Sequence, residues 1–246
     1  MALKIKPENI LFIDIETVPL VKQMEDLTKG HAKLWTQKFE QFKSRNPDRY
    51  DDSVDAAKAF SLEGGIFAEF GKIICISVGI LTESGGSKRF RLKSFAGDDE
   101  AVLLKDFALM INKWSSPEKQ LCGHNIKEFD VPYICRRMII NGIELPDVLN
   151  IAGKKPWEVQ FIDTLELWKF GDFKHYTSLN LLTTILGIPT PKDDIDGSMV
   201  SEVYYEQKDL KRIVAYCEKD VFATAQVWFR FNGLPLPDPA IIENAN

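Results

Sequence analysis

Two acids in this chain are spaced for shared chemistry. Asp14 and Glu16 close the run ILFIDIETV (10–18), which is apolar on both alternating faces before the acids appear, as a strand buried inside a sheet is. Residues two apart on a strand face the same side, so the two carboxylates project together, about 7 Å apart by strand rise. Like charges so placed require compensation. Oxygen ligands with no accompanying Cys or His suit Mg²⁺ or Mn²⁺ better than zinc. A solvent-facing strand edge is the plainer alternative, and the apolar residues on both faces upstream argue against it.

Tyr216 and Asp220 lie four apart in YCEKD, which stacks them on one face of a helix. Alone, the pair reads as a surface hydrogen bond. Asp130, in HNIKEFD (124–130), stands at a helix start, where an acid is favoured for local reasons. What raises all three is their joint occurrence with Asp14 and Glu16, in the order and settings that a common metal site would require. Asp163, in FIDTLEL, is either a further acid near that site or a helix cap.

The elements that must carry these residues are legible from periodicity. Lys72–Leu81 is β-branched and, after the turn Glu83–Ser87, alternates on into Lys88–Phe95, which predicts a hairpin. A helix capped by Asp98 or Asp99 runs to about Trp114, a short strand covers Gln120–Gly123, and a second amphipathic helix covers about 129–140. Ser178–Leu186 is a short helix stopped by Gly187 and Pro189, and Asp209 caps a long one from Leu210 to about Phe229. The order predicts an α/β fold, a mixed sheet flanked by helices. Residues 1–232 are expected to form one domain, with a helical or loop insertion over about 21–69 and a loosely packed tail over 233–246.

At this point the sequence resembles the DEDD exonuclease superfamily, whose motifs are a strand with Asp-x-Glu, a middle Asp near a helix start, and a helix with the last Asp. Here these are DIET (14–17), HNIKEFD (124–130) and YCEKD (216–220). The histidine branch places His five residues before the last Asp, where this chain has Ala215; the tyrosine branch places Tyr four before it, at Tyr216. The likeness extends over about Ile10–Phe231 to the proofreading 3′ to 5′ exonuclease domain of family-B DNA polymerases and to stand-alone predicted exonucleases related to it.

The resemblance implies a ribonuclease H-like fold and two divalent cations, Mg²⁺ or Mn²⁺. Asp14, Glu16 and Asp220 would hold one ion, Asp14 would bridge to the second, Asp130 would support that one through water, and Tyr216 would orient the attacking water. Two cations about 4 Å apart suit an in-line displacement at phosphorus. With a reference pKa near 10, a phenol is better suited to positioning water than to acting as a base.

A nuclease working at a strand end must unstack and hold the last bases. Phe129 and Asn125 are the substrate-binding candidates, against core and turn roles, together with the backbone amides of Thr17 and Val18. Trp168, Phe170, Phe173 and Tyr176 surround Lys169, Lys174 and His175, a mixture that suits single-stranded nucleic acid or plain core packing. PKDDIDG (191–197) lacks the pattern of a calcium loop and reads as a solvated turn. His31, His124 and His175 have no partner spacing for a triad or a zinc site.

A net charge of −5 argues against coating duplex by bulk electrostatics and favours DNA 3′ ends that are single-stranded or frayed. RNA is the nearest rival, because the same chemistry cuts either backbone. A non-catalytic nucleic-acid-binding module of a polymerase or repair assembly is a different class, disfavoured by the presence of all five side chains. No apolar run approaches the roughly 20 residues of a membrane span, and Cys75, Cys122, Cys135 and Cys217 lack close pairing. The expectation is a soluble cytoplasmic protein with reduced, inert thiols.

Overall fold

The computed structural model describes residues 5–50, 53–172, 176–189 and 195–244. Six strands form one mixed sheet in the order β5-β4-β1-β2-β3-β6. These are β1 (Ile10–Pro19), β2 (Gly71–Ser84), β3 (Ser87–Ala96), β4 (Gln120–Gly123), β5 (Ile162–Asp163) and β6 (Ile242–Asn244). The expected hairpin is β2–β3, antiparallel from Cys75↔Ala96 to Ser84↔Ser87.

β1 is central because both of its faces are apolar. Leu11, Ile13 and Ile15 pack with Leu103 and Phe107 of α3 (Glu100–Trp114) and with Val131 and Ile134 of α4 (Asp130–Ile140). Ile10 and Phe12 pack on the other side with Val221, Phe222, Ala225 and Trp228 of α8 (Leu210–Phe231). Each such aromatic or aliphatic side chain contributes about 1.5–3 kcal/mol by leaving water. Alternation then carries Asp14 and Glu16 onto the α8 side, directly after the apolar residues that anchor the strand.

The pairing of β1 differs along its two edges. Against β2 it is antiparallel from Leu11↔Ile80 to Pro19↔Gly71, with an irregularity between Glu16 and Thr17. Against β4 it is parallel only from Ile10↔Gln120 to Phe12↔Cys122. Beyond Phe12 the sheet therefore opens on the β4 side, at the carboxyl end of a parallel pair. Crevices at such points are where open α/β sheets take ligands.

Between β1 and β2 the chain forms α1 (Lys29–Arg45) and α2 (Ala56–Glu63). These helices have their own core of Trp35, Phe39, Phe60 and Phe70, and Trp35 Nε1 donates to the Ala56 carbonyl at 2.7 Å. The ends of this segment are tied together where Leu20 N–H donates to the Phe70 carbonyl at 2.8 Å. Gly65 lies so close to β1 that a Cβ there would stand 3.0 Å from the Val18 carbonyl carbon.

The second half adds α5 (Thr164–Lys169), α6 (Leu179–Ile185) and α7 (Val200–Glu202), which runs through a π turn at Val203–Gln207 before α8. Caps fall where the sequence places them: Asp99, Ser178 and Asp209 accept from backbone N–H groups at the starts of α3, α6 and α8. The tail departs from expectation. Instead of remaining loose, Ile242–Asn244 adds a parallel edge strand to Phe90–Leu92 of β3, held by backbone pairing that side-chain periodicity does not announce. Among the described residues no helix is long and apolar enough to cross a membrane.

Candidate metal centre

The opening beside β1 is a cavity of about 1050 Å³ lined by Asp14, Glu16, Asp130, Tyr216 and Asp220 among others. Four acids from three distant stretches of the sequence thus meet: two on a strand, one in the first turn of α4, and one in the middle of α8. Glu16 and Asp130 are buried, while Asp14 and Asp220 are partly exposed on the cavity floor. Donor atoms of Asp14, Glu16 and Cys217 lie within 4.8 Å of one another.

The electrostatics follow from packing like charges out of water. Burial first, then the carboxylates of Glu16, Asp130 and Asp220, holds the Asp14 carboxyl well above the usual range, against the opposing effect of the Cys217 thiol. Burial and the Asp220 charge raise Glu16 likewise. Asp130 is pushed up to about 7, chiefly by burial, although its own N–H and that of Ile15 donate to it. The Ile15 amide faces the side that β4 has left, so Asp130 supplies the acceptor the missing strand does not.

Tyr216 belongs to the same group. Its hydroxyl hydrogen-bonds Asp220, and burial together with the acids Asp220, Glu16 and Asp14 raises its pKa far above ordinary phenol. It stays a neutral donor at any physiological pH. Cys217, one residue on, points its Sγ at Asp14 Oδ2, 3.4 Å away. Burial holds that thiol well above its usual pKa, and in the metal-free site it is a weak donor to Asp14. The remaining donor set is carboxylate oxygen, which fits a hard divalent cation and is relieved of its mutual repulsion by one.

Asp130 is held by a device of its own. Asp163 caps α5, accepting from Leu165 N at 3.0 Å and Glu166 N at 3.3 Å, and also accepts from Asn125 N at 3.0 Å and Lys127 N at 3.2 Å. Both roles foreseen for Asp163 thus collapse into one: it is a cap that also clamps the turn leading into Asp130. Asn125 sits in that turn at φ 67°, and its carbonyl accepts from Glu128 and Phe129 while the residue lines the cavity.

Phe129 also lines the cavity, half-buried against Tyr133 with ring centroids 5.5 Å apart. Thr17 and Val18 are not brought there. Their backbone is paired with Ile73 and Lys72 of β2 and approached by Gly65, Val18 is fully buried, and the Thr17 hydroxyl bonds Tyr133.

Of the aromatic cluster, Trp168 stacks on Phe231 in the core at 6.1 Å, Phe170 is exposed, and Tyr176 lines the cavity. Phe173, Lys174 and His175 lie outside the described residues, as do Asp193 and Asp194. Asp196 accepts from Ser198 N at 2.8 Å, the turn role expected of it. His124 hydrogen-bonds Thr164 Oγ1 at 2.9 Å and the Thr177 carbonyl at 2.8 Å, and burial lowers its pKa. Cys217 and His124 are the neighbours that sequence reasoning gave no part in the site, whereas Tyr176 belongs to the aromatic and basic mixture it set out for single-stranded nucleic acid or core packing. Only Cys217 has a local signal, its place between Tyr216 and Asp220.

A family model described as a predicted 3′-5′ exonuclease related to the exonuclease domain of PolB matches residues 66–235. No curated protein matches the chain significantly. The matched span contains Asp130, Tyr216 and Asp220, and begins after Asp14 and Glu16. With more than half its length so matched and the sheet-and-helix architecture of that fold, the chain belongs to the family of predicted 3′-5′ exonucleases related to the PolB exonuclease domain.

Proposed function

We propose that the chain hydrolyses phosphodiester bonds from the 3′ end of DNA, single-stranded or frayed, and releases nucleoside monophosphates by two-cation catalysis of the tyrosine-branch type. The observation that carries this reading is the convergence of Asp14, Glu16, Asp130, Asp220 and Tyr216 on one cavity floor. Asp14, Glu16 and Asp220 would hold one Mg²⁺ or Mn²⁺, with Asp14 shared with a second and Asp130 supporting that one through water. When bound, such ions lower the pKa of water and stabilise the leaving 3′-oxygen.

The residues of the chain prepare that chemistry. The carboxylates neutralise the cations and are poor nucleophiles. Tyr216, kept neutral by burial and by its acidic neighbours, fixes the direction from which water attacks. Asp163 holds the turn that delivers Asp130. The cavity is bounded on several sides, and the protein is acidic overall, so a strand end enters more readily than an intact duplex.

The test is digestion of 5′-labelled linear and circular single-stranded DNA, and of matched RNA, with Mg²⁺, Mn²⁺ or chelator. The reading expects a metal-dependent ladder shortening from the 3′ end of linear DNA, with circles intact. Nicking of circles would make the enzyme an endonuclease. A ladder on RNA alone would move the substrate to RNA.

A further inference from the structure

Tyr176 stands out within the cavity because the residue is 67% exposed while it lines the site. A tyrosine usually hides its ring and satisfies its hydroxyl. Here the residue is largely exposed, and the hydroxyl makes no hydrogen bond among the described residues. The acids of the metal centre are near enough to act on it: after burial, Asp130 and Asp14 are the groups that raise its pKa.

The ring is held rather than loose. It stands edge-on to the His124 imidazole, with centroids 6.4 Å apart and planes at 70°. His124 is fixed between Thr164 Oγ1 and the Thr177 carbonyl, so the residue following Tyr176 is tied to the turn that leads to Asp130. One step further, Ser178 caps α6 by accepting from Leu181 N at 3.3 Å. A ring that rests against a fixed imidazole, with the chain that follows it anchored, loses less conformational entropy when a ligand covers it than a free side chain would.

We propose that Tyr176 is the stacking platform for the base of the 3′-terminal nucleotide, a substrate-positioning role that rests on the exonuclease reading. An exposed aromatic face beside a metal centre that cuts phosphodiesters fits a flat, uncharged partner, and the nucleobase is the flat part of that substrate. Stacking uses the π-face that every base carries, so the platform accepts any terminal base. A base still paired and stacked in duplex cannot reach it, which favours frayed ends. The hydroxyl has no part in this, and phenylalanine serves equally well.

The experiment compares wild type, Tyr176→Ala and Tyr176→Phe on 5′-fluorescein single-stranded DNA ending in an ordinary nucleotide or in an abasic residue. Binding is read by anisotropy with Ca²⁺ in place of Mg²⁺, and kcat and KM are read with Mg²⁺. On ordinary ends Tyr176→Ala is expected to weaken binding and raise KM about tenfold, the scale of one base–aromatic stack. Tyr176→Phe is expected to match wild type. On abasic ends wild type should fall to the level of Tyr176→Ala, and the alanine should cause no further loss.

Unchanged binding and KM in Tyr176→Ala on ordinary ends would overturn the proposal while wild-type cleavage left the exonuclease reading standing. An equal loss on ordinary and abasic ends would also overturn it, since the ring would then be supporting the fold. A wild type that neither binds nor cuts 3′ ends would overturn the parent reading and this one together.

Discussion

Asn125 and Asp163 are 38 positions apart and joined by a hydrogen bond of 3.0 Å, from the Asn125 N–H to the Asp163 carboxylate. That bond ties the turn before α4 to the start of α5, and through it the strand end β5 controls where Asp130 stands. A side chain that touches no candidate ligand thus governs one that does.

Asp163→Ala therefore has a double effect. It leaves four backbone N–H groups without their acceptor in a largely buried site. The expected destabilisation is about 2–4 kcal/mol in urea unfolding, with kcat falling more than KM changes. Full activity in a stably folded Asp163→Ala protein would show that the clamp is dispensable.

The acids of the centre oppose folding when no cation is bound. Asp130 ionises near its ordinary 3.8 in the unfolded chain but near 7 in the metal-free fold. Between those values the native state keeps a proton that the unfolded state has lost, so stability declines as pH rises through that window and stays reduced above it. Differential scanning calorimetry should give a lower metal-free Tm at about pH 8 than at about pH 5, with Mg²⁺ restoring more at the higher pH. Asp14→Asn removes one of the repelling charges and should raise the metal-free Tm.

Tyr216→Phe removes only a hydroxyl whose partner is Asp220. The fold should survive with unchanged Tm, and kcat should drop roughly a hundredfold from misplaced water, with little change in KM. Single-turnover rates across pH would check the positioning role: the shape of the profile should be that of wild type, because no proton is taken by the phenol.

Arg137 and Glu100 form a buried pair at 2.6 Å, and Glu100 also accepts from Ile73 N while Arg137 donates to the Ala68 carbonyl. They join α3, α4 and β2 behind the site. Arg137→Met strands a buried carboxylate and should cost about 3–5 kcal/mol in urea unfolding. A change below about 1 kcal/mol would mean that water reaches Glu100.

What could be read in the sequence was whatever depends on short-range periodicity. A period of two put Asp14 and Glu16 on one face of a strand, and a period of 3.6 did the same for Tyr216 and Asp220 on a helix. The caps Asp99, Ser178 and Asp209 were visible for the same reason. Where Thr17 and Val18 sit, against β2 and beneath Gly65 rather than on the cavity wall, depends on strand pairing and a close approach that are long-range facts. The clamp by Asp163, the thiol of Cys217 at Asp14 and the anchoring of Thr177 by His124 join residues 36 to 203 positions apart, which no local pattern encodes. The edge strand Ile242–Asn244 escaped notice because three exposed residues carry no periodic signal.

The most direct test of the central claim is hydrolysis of 5′-labelled single-stranded DNA in Mn²⁺ by wild type and Asp14→Asn, side by side, with both proteins shown to be folded. The account predicts stepwise shortening from the 3′ end by wild type and no shortening by the variant. Equal ladders from the two proteins would mean that the acids gathered around β1 are not the catalytic centre.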